Sequence, residues 1–140
     1  MVVKTKMPRR RRTTQTRPER DAAADRQQAC NLLARLADLL RWIDHPRAGE
    51  VEALLADFGS DPTAAWRQLD GNGWWAGAGS LAAESLVEPA NLPTRERDHA
   101  MREFRALLID IAELLRARGP TNPGLSSWLL AFRNWEASGV

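Results

Sequence analysis

Residues 94–118 read TRERDHAMREFRALLIDIAELLRAR, and this stretch decides the fold. Its large apolar residues recur every three or four positions, which places them on one face of an α-helix. The pattern predicts a long amphipathic helix from Thr94 to Arg118, with Gly119 as the residue that stops it. The members of the apolar stripe are Met101, Phe104, Leu107, Leu108, Ile111, Leu114 and Leu115.

A second stretch with the same periodicity predicts another long helix, from Ala22 to Ile43. Asp21 is suited to cap its first turn, and Pro46 is expected to end it, because proline disfavours helical geometry in the residue before it. The apolar stripe consists of Leu33, Leu36, Leu40 and Ile43, widened by Leu32 and Leu39.

Shorter helices are predicted between and after the two long ones. Asp61 and Pro62 form the preferred start of a helix, a capping residue followed by proline at the first helical position. Ser80 can cap a further helix in the same way. The predicted ranges are 50–58 with Gly59 as its stop, 62–70, 81–87 and 125–137.

No stretch alternates apolar and polar residues as a half-buried strand would, so the predicted class is all-α. We expect two long antiparallel amphipathic helices with the shorter helices packed across them. At 140 residues the chain has the length of one domain.

Charge divides the chain into two parts. Residues 1–20 hold eight basic residues against one acidic residue, a net charge of +7, whereas residues 21–140 hold 12 arginines against 17 acidic residues, a net charge of −5. With so little apolar content, the first part is expected to be a disordered basic tail ahead of a single helical domain. Both lysines lie in the tail, and the Lys-free, Arg-rich remainder is typical of a GC-rich bacterial genome.

Several classes of protein do not fit this composition. No apolar run approaches the roughly 18 residues of a membrane helix, and no apolar stretch of signal-peptide length follows the arginines, so we expect a cytoplasmic protein. One cysteine and two histidines, His45 and His99, lack the spacing of a zinc site, and solvated histidines are expected. Neither a metal nor a cofactor is predicted.

Catalytic motifs are equally incomplete. Ser80 follows a glycine-rich turn, but Ala78 and Ala82 occupy the positions where a nucleophile elbow has glycine. Gly71, Gly73 and Ala76 match a dinucleotide fingerprint only in spacing, since no strand precedes them. Glu84 has an acidic neighbour at position 88, which is more typical of a solvated face than of paired catalytic carboxylates. We expect no enzyme activity and no small-molecule substrate.

One segment remains as a candidate site. Residues 71–80 read GNGWWAGAGS, with adjacent Trp74 and Trp75 in a loop of four glycines. One indole could anchor the loop while the other stays exposed for a partner, since tryptophan is enriched at binding hot spots. The alternative is that both rings fill the gap between helices, because tryptophan is highly buried on average.

A resemblance to a known kind of protein is carried by three segments: WWAGAGSL at 74–81, Asn122-Pro123 after a long helix, and WLLAFRNW at 128–135. Over residues 26–135 the chain resembles a small, uncharacterised bacterial all-helical family in which a Gly-x-Gly-Ser-Leu loop joins two helical halves. Some of its members look like immunity proteins that mask secreted toxins. The resemblance implies a protein partner and carries no catalytic residue.

Two functions are therefore predicted. The first is a non-enzymatic protein-binding module. More specifically, it would be an immunity-type protein that masks a toxin, since its acidic body would attract a basic toxin. Its expected contact residues are Trp74, Trp75, Ser80 and Glu84. The alternative is a nucleic-acid-associated protein tethered by counterion release through the tail. Its expected contacts are Arg9, Arg10, Arg11 and Arg12.

Overall fold

The computed structural model describes residues 21–87, 89 and 92–138. Every regular element in these ranges is a helix, which confirms the predicted all-α class. The predicted basic tail, residues 1–20, lies outside the described residues. In chain order the helices are α1 (Ala22–Trp42), α2 (Ala48–Ser60), α3 (Pro62–Leu69), α4 (Asn72–Trp75), α5 (Leu81–Glu84), α6 (Thr94–Arg118) and α7 (Pro123–Ser138).

Local capping chemistry sets where several helices begin. The carboxylate of Asp21 accepts hydrogen bonds from the backbone N–H groups of Ala23 and Ala24, as predicted for the cap of α1. Asp61 caps α3 in the same way, through a bond from the N–H of Ala64 at 3.2 Å. Each cap satisfies backbone donors that the first turn of a helix leaves without an intrahelical partner.

The end of α1 depends on backbone conformation more than on the proline. Asp44 adopts a left-handed φ of 57° just after the helix. Its N–H then bonds the carbonyl of Arg41 at 3.1 Å, and the N–H of His45 bonds the carbonyl of Leu40 at 2.8 Å. This pattern is a Schellman motif, in which aspartate occupies the position that usually holds glycine. The turn directs the chain into α2.

Other boundaries differ from the sequence predictions. The second helix runs through Gly59 instead of stopping there, and α7 begins at Pro123, two residues before the predicted start. The helix after Ser80 ends at Glu84, so it is shorter than predicted, and α4 was not predicted at all. In each case the apolar pattern is too short for periodicity alone to locate the ends.

The core is built around the two long helices. Helix α1 packs against α2 and α6, while α7 packs against α6 and α4. An ion pair of 4.0 Å joins Asp25 in the first turn of α1 to Arg118 in the last turn of α6. A second, of 3.0 Å, joins Arg35 to Glu103. The buried apolar residues form one cluster that draws on all seven helices.

An unusually close backbone approach joins α7 to α4. A Cβ atom added at Gly124 would overlap the carbonyl oxygen of Trp75 and lie 2.9 Å from the carbonyl carbon. Only glycine allows the first turn of α7 to come this near. The contact is reinforced by Asn122, whose backbone N–H and side chain bond the carboxylate and carbonyl of Asp70 at 2.9 Å and 3.1 Å.

Replacing Gly124 by alanine is therefore expected to destabilise the protein. The new methyl group meets backbone atoms that cannot rotate away, so we expect the free energy of unfolding to fall by about 2–3 kcal/mol, as for overpacked cores. Urea denaturation followed by far-UV circular dichroism measures the loss.

The matched control is Gly59→Ala. Gly59 lies within α2, and nothing is within 4 Å of a Cβ atom placed there. Alanine should raise the free energy of unfolding by about 0.4–1 kcal/mol, because it restricts the unfolded chain without a clash. Equal urea midpoints for the two variants would contradict the close approach at Gly124.

Candidate functional site

The two adjacent tryptophans lie in the interior. Trp74 is 2% exposed and Trp75 is fully buried. The indole N–H of Trp75 donates a hydrogen bond of 2.8 Å to the carbonyl of Leu69, at the end of α3. The alternative in which both rings fill the space between helices is therefore the correct one. As contacts for a partner, Trp74 and Trp75 were wrongly assigned.

Ser80 likewise has a structural role, as the cap of a helix. Its hydroxyl donates to the carbonyl of Gly77 at 2.8 Å and accepts from the N–H of Ala83 at 3.1 Å, which caps α5 as predicted. The residue is fully buried. A partner cannot reach it, and its assignment as a contact residue is corrected as well.

Arg47 lies at the centre of a polar cluster that holds this segment. From the turn before α2, its guanidinium donates to the carbonyls of Gly73 and Gly79 at 2.8 Å and 3.2 Å. It also bonds the carboxylates of Glu50 and Glu84, at 2.7 Å and 3.0 Å. These bonds raise the pKa of Arg47, with the Glu50 bond as the largest cause, and lower the pKa of Glu50. One cation thus joins α2 to both ends of the glycine-rich segment.

His45 completes this cluster and is not solvated, contrary to the sequence prediction. Its side chain is 12% exposed, and its ring meets Phe104 of α6 edge to face at 5.9 Å. Nδ1 accepts the N–H of Arg47 at 3.0 Å, so Nε2 carries the proton and faces the Glu84 carboxylate at 3.2 Å. Both ring nitrogens are engaged within the chain, which leaves neither available to move a substrate proton.

Glu84 is the one predicted contact residue that is partly exposed. Its two carboxylate oxygens are bound by Arg47 and by His45, and 28% of its side chain reaches solvent. It is therefore engaged in holding α5 against the α1–α2 turn. The predicted nucleic-acid contacts, Arg9 to Arg12, lie outside the described residues, and their role stays a prediction.

A second feature, which the sequence prediction missed, is a groove of about 490 Å³ between α6 and α7. Trp135 of α7 is half-buried in it, and two arginines of α6 lie along it. A neighbouring depression shares His99 and Arg102 with this groove. The α6–α7 groove is lined by His99, Arg102, Glu103, Arg105, Ala106, Trp135 and Glu136.

Two exposed apolar residues follow a residue that Arg105 of the α6–α7 groove approaches. The guanidinium of Arg105 approaches the carbonyl of Ser85 at 3.5 Å. The next two residues, Leu86 and Val87, are 43% and 69% exposed. Tryptophan and arginine, the two residue types that the groove itself brings together, are enriched at protein interfaces.

The described residues contain no group of three His, Cys, Asp or Glu side chains that could hold a metal ion. None of the described helices combines the length and apolar character needed to cross a membrane. Comparison with protein-family models, curated proteins and solved structures found no match for this chain.

Little in the sequence pointed to either feature. Arg47 and its partners at 73, 79 and 84 are too far apart in sequence for a spacing rule to connect them. The groove had one local signal: His99, Arg102 and Arg105 recur at three-residue intervals, which places them near one another along α6. That signal cannot show that Trp135 lies opposite.

We expect Arg47→Met to destabilise the protein strongly. Methionine keeps much of the apolar stem but removes the donor from the carbonyls of Gly73 and Gly79 and leaves the Glu84 carboxylate with His45 alone. The two glycines are exposed, but the Arg47 and Glu84 side chains are only 15% and 28% exposed, so the free energy of unfolding should fall by about 1–3 kcal/mol. Chemical denaturation measures the change.

The matched control is Arg41→Met, which removes another arginine–glutamate pair. Arg41 and Glu52 are 60% and 44% exposed, so solvent screens their interaction. We expect no measurable change in the urea midpoint. A similar loss in both variants would show that Arg47 has no special role.

Protonation of His45 should weaken the fold. Burial lowers its pKa below the ordinary value of 6.5, and this outweighs the opposite effect of Glu84. As pH falls below 6.5, the unfolded chain takes up the proton before the folded chain does, so stability is lost across that range. At higher pH the contribution is fully present.

The test compares unfolding free energies at pH 7.5 and pH 5.5, before most carboxylates titrate. Wild type and His99→Gln, in which the exposed histidine is changed, should lose stability to the same extent. His45→Gln should lose less. An unchanged slope in His45→Gln would assign the pH dependence to other groups.

Proposed function

We propose that this chain is a non-enzymatic protein-binding module that contacts its partner through the α6–α7 groove. The observation that carries the proposal is the placement of half-buried Trp135 opposite Arg102 and Arg105 in one groove. Tryptophan and arginine are the residue types that contribute most to binding when a partner covers them. Leu86 and Val87, which follow the Ser85 carbonyl near Arg105, are exposed apolar residues.

Two observations support a role without catalysis. The two nitrogens of His45 are occupied by Arg47 and Glu84, so this residue has no free site for acid–base work. The hydroxyl of Ser80 is buried and bonded to the backbone on both sides.

The scaffold that we propose is a pair of antiparallel long helices, α1 and α6. The ion pairs support this orientation, because residue 25 meets residue 118 while residue 35 meets residue 103. The immunity-type version, in which the partner is a toxin, has the sequence resemblance and the net charge of −5 over residues 21–140 as its support.

The test is to capture a partner from the native host with the full-length chain. Wild type should retain one protein in stoichiometric amount. Trp135→Ala should weaken that complex by about thirtyfold or more, the effect of losing a hot-spot side chain of ~2 kcal/mol. The affinity is then measured by titration calorimetry with the purified partner.

Trp42→Ala is the control, since Trp42 is exposed at the end of α1 and lies outside the groove. It should bind as wild type does. Circular dichroism must show that both variants fold. Trp75→Ala is unsuitable, because it would remove a buried ring from the core. Recovery of no partner, or equal binding by Trp135→Ala, would contradict the proposal.

A further inference from the structure

The two arginines of the α6–α7 groove lack a matching anion among the described residues. Arg105 makes one hydrogen bond, a long one of 3.5 Å to the carbonyl of Ser85, and no described carboxylate lies within ion-pair distance of it. Burial lowers the pKa of Arg105, and the positive charge of Arg102 lowers it further. A half-buried cation beside a second cation is an unfavourable arrangement that an incoming anion would relieve.

The acidic residues of the groove do not supply that anion. The Glu103 carboxylate is bound to Arg35 of α1 at 3.0 Å. Glu136 of α7 raises the pKa of Arg105 from a distance, without forming an ion pair with it. Both residues also make the lining unsuited to a polyanion, because their charges repel successive phosphates.

We infer that the α6–α7 groove receives an acidic side chain of a protein partner, placed between Arg102 and Arg105, with a neighbouring apolar side chain of the same partner packed on Trp135. This inference rests on the proposed protein-binding function and names the chemistry that the partner presents. A guanidinium binds a carboxylate through two parallel N–H···O bonds, which gives both strength and direction. The indole and Ala106 supply the apolar wall.

The surface beyond the groove favours a peptide segment over a small anion. Leu86 and Val87 follow Ser85, whose carbonyl Arg105 approaches, and are exposed to solvent. An acidic residue flanked on both sides by apolar residues would cover Trp135 on one side and this pair on the other. A small free anion would leave both apolar areas in water.

The experiment uses two tripeptides, acetylated and amidated: leucyl-glutamyl-phenylalanine and its glutaminyl analogue. They differ only in the charge of the central side chain. Each is titrated into the full-length ¹⁵N-labelled protein, and the signals of the Trp135 indole N–H and the Arg105 Nε–H are followed. We expect the glutamyl peptide to bind at least about tenfold more tightly, the contribution of a charge-assisted hydrogen bond.

Three variants test which groove residues cause the preference for the glutamyl peptide. Arg105→Met and, should that variant fold poorly, Arg102→Gln are expected to bring the two peptides to equal affinity. Glu136→Gln should tighten binding of the glutamyl peptide, because a repelling carboxylate is removed. Arg116→Gln is the control: Arg116 is on α6 outside the groove lining, and its loss should leave the tenfold preference unchanged.

The outcomes separate this inference from the proposed function. Equal affinity of the two peptides for wild type, or absence of binding by both, would overturn the acidic-segment inference. The proposed protein-binding function would still be upheld if wild type captures a partner and Trp135→Ala does not. Inorganic phosphate that shifts the same signals as strongly as the glutamyl peptide would also overturn it, in favour of a general anion site. A preference for the glutamyl peptide without any captured partner would instead count against the proposed function.

Discussion

The middle of this structure depends on one guanidinium, that of Arg47. It binds the neighbouring carboxylate of Glu50 and also reaches the carbonyls of Gly73 and Gly79 and the carboxylate of Glu84, which are 26 to 37 residues away in the chain. The segment that it holds has only two helices of four residues each, and such short helices contribute little order of their own. Its path is therefore set by contacts from outside.

A second anchor acts on the same segment from α7. Gly124 lets the first turn of that helix approach the backbone of Trp75, and Asn122 bonds Asp70 and Asn72. Held from both sides, the two indoles lie in the core as packing elements. A stretch with four glycines and two tryptophans thus serves as an internal connector between the α1–α2–α3 region and α7.

The cluster around Arg47 and the α6–α7 groove differ in how many of their polar side chains have hydrogen-bond or ion-pair partners within the chain. The guanidinium of Arg47 and the ring nitrogens of His45 all have partners within the chain, so these two side chains contribute to stability and are not free for a ligand. In the α6–α7 groove, Arg105 is half-buried without an ion-pair partner among the described residues. Polar groups that lack partners in the folded chain are the ones that a second molecule can satisfy. This contrast is why the proposed binding surface is the groove.

The sequence by itself determined the elements whose causes are local. Apolar periodicity located α1 and α6, because three- and four-residue spacing requires only the geometry of one helix. The caps at Asp21, Asp61 and Ser80 were equally readable, since each side chain bonds backbone groups two or three residues away. The net charge of each part of the chain also needs no coordinates.

Only the tertiary structure decided which residues are inside and which are available. Trp74 and Trp75 could have been exposed or buried by the same sequence pattern, and α3 and α7 settle the matter by packing around them. His45 is buried because α6 brings Phe104 against its ring. The groove exists because α7 returns along α6 and places Trp135 opposite the arginines. Contacts between residues far apart in the chain leave no periodic trace in the sequence, and for that reason these features emerged only from the folded structure.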